Sequence, residues 1–207
     1  MMLLKEDSLA AVLVGDWSKS FIQPDWIAEN VYEKHEIEIG VNGQGVDFTV
    51  SYRCDNIIIS PEQDRVMFSA ANIDNITVGT LCRCLNNFIE KAYTPSMIAY
   101  GLNSDFEEED GSIFAEILDG MGDANTIIEN GYEIVDTQIS RILKGSNGKI
   151  INMNSGLENG RLKVHFNEHH EGGESRPVFD AESINGFIQE CCRIMESLGY
   201  ELEGEEL

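Results

Sequence analysis

The sequence predicts an α+β protein. Two similar halves, each running strand, short helix, antiparallel strands, long helix, are expected to form one curved antiparallel sheet covered by two long helices. Three observations predict this. Apolar and polar residues alternate at Val46, Phe48, Val50 and Tyr52, and again at Leu162, Val164 and Phe166, the period of a half-buried strand. Leu81, Leu85, Phe88 and Ile89, and later Ile184, Phe187, Ile188, Cys191, Met195 and Leu198, recur three and four residues apart, as on one face of a helix. The order of these signals repeats, so residues 1–94 and 95–207 are expected as two half-domains packed in one globular unit.

In the first half, Ser8–Val14 is an apolar run closed by Gly15-Asp16 and reads as a buried strand. Pro24-Asp25 opens a helix to about Tyr32, because proline suits the first turn. His35–Ile39 alternates as a strand, Asn42–Gly45 is turn chemistry, and strands follow at Val46–Tyr52, Ile57–Ile59 and Arg65–Ala70. Val78–Ala92 is the first long helix, capped by Thr77 or Thr80 and followed by Pro95. In the second half, Met97–Leu102 repeats the short apolar strand and Ser112–Leu118 is helix-like. Strands are expected at Tyr132–Leu143, Lys149–Met153 and Arg161–Asn167, with turns at Gly145–Gly148 and Gly156–Gly160. The last helix is capped by Asp180 or Ser183 and stopped by Gly199.

This element order resembles the saddle of the TATA-binding protein family, with Leu9–Trp17 opposite Met97–Asp105 in the two halves. The resemblance implies the fold and not the function. The candidate strands carry Glu36, Glu38, Asp47, Glu133 and Asp136 and few bases, where a DNA-binding underside needs the reverse. A saddle of this composition is expected to meet protein.

Charge narrows the function classes. The 207 residues carry 37 acids and 14 bases, a formal net charge of −23. Such a surface repels nucleic-acid phosphates and anionic headgroups, so neither direct nucleic-acid binding nor membrane binding is expected. No apolar run is long enough for a membrane span, and Lys5-Glu6-Asp7 interrupts the first apolar stretch, so no secretory leader is expected. Five cysteines, two of them adjacent, fit reduced thiols, and a cytoplasmic location is expected. The charge is uneven. Up to Tyr100 there are 14 acids and 7 bases, and after it 23 acids and 7 bases.

The candidate binding residues follow from that asymmetry. From Ala92 to Ser140 there is no Lys, Arg or His, and there are eleven acids. Asp105, Glu107, Glu108, Glu109, Asp110, Glu116 and Asp119 are the candidate contacts to a basic protein surface, with Trp17 and Trp26 as candidate aromatic anchors. The bland alternatives are a solvated loop for the acids and core packing for the aromatics. A calcium loop fits the spacing of Asp105, Glu107, Glu109 and Glu116, but Asp110 stands where the required glycine belongs. His165, His169 and Glu168 are the least unsuitable site for a metal-dependent enzyme, at a spacing that matches no structural zinc site. Cys82, Cys84, Cys191 and Cys192 lie at helical spacings that splay their thiols apart, so they are expected to pack as small apolar groups, and Cys54 likewise. No cofactor is expected. The function expected is a non-catalytic acidic protein-binding module, an adaptor, inhibitor or immunity-type protein. The alternatives are a nucleic-acid mimic that blocks a DNA- or RNA-binding protein, and the metal-dependent enzyme. A homodimer formed through an unpaired sheet edge is a further expectation.

Overall fold

The structure, a computed structural model, describes residues 1–17, 22–44, 47–92, 97–112, 114, 129–133, 137–145, 148–173 and 176–203. The first half contains β1 (Met2–Leu4), a 3-10 turn (Glu6–Ser8), β2 (Ala10–Gly15), α1 (Pro24–Ile27) running into a π-helical turn (Ala28–Tyr32), β3 (Glu38–Gln44), β4 (Asp47–Cys54), β5 (Ile57–Pro61), β6 (Arg65–Ala70) and α2 (Asn75–Lys91). Then come β7 (Met97–Glu108), β8 (Gln138–Lys144), β9 (Ile150–Glu158), β10 (Arg161–Glu171), α3 (Ala181–Ser197) and β11 (Leu202–Glu203). All eleven described strands join one sheet, whose main path runs β3-β4-β5-β6-β2-β7-β10-β9-β8. Where β2 leaves β7, β1 takes its place beside residues 106 and 107, and β11 pairs with β1 in parallel.

Local chemistry explains the elements. In β10 the inward residues Leu162, Val164 and Phe166 are buried while Lys163, His165 and Asn167 face outward, as period-2 alternation requires. Tight hairpins reverse the chain at Asp55-Asn56 and Asn159-Gly160, all four at positive φ, a backbone state that Asn, Asp and Gly tolerate best. The cap of α2 is Asp74, whose carboxylate accepts from the N–H of Ile76 and Thr77 at 2.8 Å. Neither Thr77 nor Thr80 caps it, since both lie inside the helix. Asp180 caps α3 by accepting from the N–H of Ser183 at 2.7 Å, and Gly199 ends it at φ 89°.

The core lies between one face of the sheet and the helices. Phe88 of α2 meets Trp17, Phe68 and Trp26 at ring separations of 5.1, 5.4 and 6.0 Å, and Phe106 meets Phe166 at 5.6 Å. Tyr32 is fully buried and its hydroxyl donates to the carbonyls of Tyr52 and Ile57 at 2.8 and 3.0 Å. That bond holds the π-helical turn on the sheet.

The expected fold class needs correction. The described residues form mostly one antiparallel sheet, 44% strand against 29% helix, and not a curved sheet covered by two long helices. The helices are too short for that. At 17 residues, α2 and α3 are each about 25 Å long and about 10 Å wide. The nine strands of the main path span about 38 Å at ordinary interstrand spacing. The principal contacts of α2 are with the π-helical turn, β6, α3 and β5, and those of α3 with α2, β7 and β11. Neither β3 nor β8 is among their principal contacts.

Several element bounds also differ. Ser8 belongs to the 3-10 turn, β3 begins at Glu38, and His35 sits exposed in a bend. The strand begun at Met97 does not stop at Leu102 but continues through the acids to Glu108. Tyr132 and Glu133 lie outside any strand, and β8 starts at Gln138. The boundary at 94/95, Pro95, most of the helix expected at Ser112–Leu118, and Ile134 lie outside the described residues.

Candidate functional site

The candidate contacts centre on β7, a central strand. Because β7 alternates, Leu102, Ser104 and Phe106 point into the core while Asn103, Asp105 and Glu107 point to the face of the sheet opposite α2 and α3. The register with β10 then brings bases to these acids. Asp105 stands opposite His165, and its Oδ1 lies 2.6 Å from Nδ1 of His165. Glu107 stands opposite Lys163 and accepts from Arg161 Nη1 at 2.7 Å, with Lys5 Nζ at 3.5 Å. The hydrogen bond from Arg161 holds the Glu107 carboxyl below the usual glutamate range. One row further in, amides link three strands. Asn152 donates to Asn167 at 3.2 Å, and Asn167 to Asn103 at 2.9 Å.

Beside this ladder is a hollow of about 800 Å³. The 3-10 turn forms one wall with Lys5, Asp7 and Ser8, and Asp105, Lys163 and His165 form another. Gly156 of β9 leaves a low place between Gln138 and Lys163, and a Cβ there would meet Gln138 Cγ at 3.2 Å. Three acids, two lysines and His165 line the hollow, which leaves it far less negative than the chain as a whole.

The remaining predicted contacts fall in different environments. Glu108 accepts from the N-terminal ammonium at 2.6 Å. Glu109 is 92% exposed, with Arg161 only at 3.8 Å, and Asp110 is exposed and accepts from the N–H of Ser112 at 3.0 Å. Glu116 and Asp119 lie outside the described residues. Trp17 is buried, its indole N–H donating to the carbonyl of Leu13 at 3.1 Å, and Trp26 is half-buried against Phe88. The two tryptophans thus serve the core, the bland alternative named above.

Strand parity separates the residues of the metal alternative. His165 and His169 occupy outward positions of β10, whereas Glu168 points inward and is 2% exposed. Among the described residues no three His, Cys, Asp or Glu side chains converge as a metal site. The partners of Glu168 are instead Lys149, whose Nζ donates to both carboxylate oxygens at 3.0 Å, and His170, whose Nε2 lies at 2.7 Å. The His170 ring stacks on Tyr100 at 4.5 Å and 6°. Burial raises the Glu168 pKa, but the hydrogen bonds from His170 and Lys149 outweigh it and leave the group below the usual glutamate value. Sequence reading did not single out Lys149 or Tyr100, because no local spacing links either to Glu168. The thiols of Cys82, Cys84 and Cys191 are buried, and burial pushes Cys82 up to about 11 and Cys84 up to about 12.

No protein-family model matches the sequence, and no curated protein matches it. No described helix is long and apolar enough to cross a membrane.

Proposed function

We propose that this chain is a non-catalytic acidic protein-binding module that engages a basic partner surface. One observation supports this above the others. Of the 14 Lys and Arg residues, at least nine already lie within 4.0 Å of a carboxylate of the same chain. The positive charge is therefore neutralised internally, and the surplus of acids acts on the surroundings. A net negative field of this kind steers association with a basic protein and suppresses encounters with acidic ones.

Within the acidic segment, Glu109 and Asp110 are the foremost contacts, since both are exposed at the end of β7. Asp105, Glu107 and Glu108 have partners within the chain and contribute by fixing the strand that presents them. The test is the association rate with an isolated basic partner at low and high salt, for the wild type and for Glu109→Lys combined with Asp110→Lys. The wild-type rate is expected to fall steeply with salt, and the variant to associate roughly threefold to tenfold more slowly at low salt. A rate indifferent to both salt and substitution would remove charge steering from the function.

A further inference from the structure

Among the described residues the sheet has three outer strands, and two of them are protected. β11 has only two residues, one of them Glu203. β8 has seven residues and carries Arg141 and Lys144. Short length and cationic side chains are the usual means by which an edge is kept from pairing with another strand. The third edge, β3, has neither. It is seven residues long, Glu38-Ile-Gly-Val-Asn-Gly-Gln44, with no proline, and no charge after its first residue. It is the terminal strand on the main path, hydrogen-bonded to β4 on one side. The face it shares with β4 is also apolar. The register puts Ile39, Val41, Val50 and Phe48 on one side, and Ile39, Val41 and Phe48 are 53%, 65% and 68% exposed. The same face continues inward to the buried Tyr52, opposite Ile39.

We propose that β3 pairs antiparallel with β3 of a second copy of this chain, about a two-fold axis through Val41. The proposal is independent of the basic partner and concerns a different part of the sheet. Self-pairing fits the charge. With Val41 opposite itself, Glu38 of one copy stands opposite uncharged residue 44 of the other. The two Glu38 residues are then about 20 Å apart, beyond the screening length at physiological salt. A two-fold axis perpendicular to the sheet keeps both apolar shelves on the same face, where Ile39 of one copy meets Gly43 of the other. Such an isologous contact closes at two copies and uses up the edge. Each copy carries a net charge of −23, so salt strengthens this contact while it weakens binding to a basic partner.

Light scattering across a dilution series at low and high salt tests the proposal. The wild type is expected at twice the chain mass of 23.1 kDa, with the dimer favoured by salt. Val41→Lys, at an exposed position, is expected at single-chain mass with an unchanged circular dichroism spectrum. Val41→Cys gives an independent reading. Directly opposed residues have Cα atoms about 4.5–5.5 Å apart, within reach of a disulfide, so mild oxidation is expected to trap a covalent dimer that the wild type does not form. A wild type at single-chain mass in every condition overturns the proposal. So does a dimer that survives in folded Val41→Lys, a mass that climbs past two copies, or a Val41→Cys variant that cross-links no more than the wild type.

Discussion

Glu168 is the residue on which the packing of the second half turns. Its carboxylate is buried beneath α3's side of the sheet, and it bridges Lys149 at the start of β9 to His170 at the end of β10. A buried carboxylate that loses a partner is costly, whereas removal of both partners is much less so. Lys149→Met alone should lower stability by about 2 kcal/mol, and Lys149→Met with Glu168→Leu should recover most of that loss in chemical denaturation. The pH dependence has a definite sign. The folded-state pKa of Glu168 lies below the ordinary value of 4.5, so the group contributes stability above 4.5 and loses it as the pH falls through the folded value. The stability difference between the wild type and Glu168→Gln should therefore be full at neutral pH and close in acid. His170 lies two residues from Glu168, but the rest was not legible locally. Asp105 and Glu168 stand out in the sequence as acids, but their partners His165 and Lys149 lie 60 and 19 residues away. Only the strand register brings them together.

At the scale of elements, the end of β10 is fixed by backbone proximity. The N–H of Gly172 donates to the carbonyl of Ile98 at 2.6 Å, and a Cβ at Gly172 would come within 2.2 Å of the carbonyl oxygen of Met97. Backbone cannot yield as a side chain does. Gly172→Ala should cost about 2 kcal/mol, while Gly173→Ala, with nothing within 4 Å of the new methyl, should be close to neutral in thermal unfolding. Elements with one wet and one dry face were legible, such as β10, and so were α2 and α3 through their three-and-four spacing. β7 was cut short for a physical reason. Asp105, Glu107 and Glu108 look like loop chemistry, yet the first two are simply the outward positions of an alternating strand whose inward positions are Ser104 and Phe106. β1 and β11 are too short to show a period.

At the scale of the whole molecule, the net charge of −23 acts against compactness. The ion pairs are mostly exposed and each contributes little. Screening of the general repulsion should therefore outweigh any weakening of the pairs. The melting temperature is expected to rise by roughly a few degrees as sodium chloride is added to a dilute buffer; a fall would mean that the pairs dominate. The charge was fully legible in the sequence, but the architecture was less so. The number of strands in a sheet and the fraction of it that helices cover depend on pairings between distant segments, as when β2 meets β7 at Ala10 and Asn103.

The two sides of this sheet do different work, since α2 and α3 both pack on the same one. Each strand is thus written in two interleaved alphabets. The inward letters that the core covers fix the fold and tolerate little rewriting. The outward letters, such as Asn42, Thr49 and Ser140, meet water, so mutation can revise them freely. A lineage, or an engineer, can change the chemistry of this surface without disturbing what holds it up.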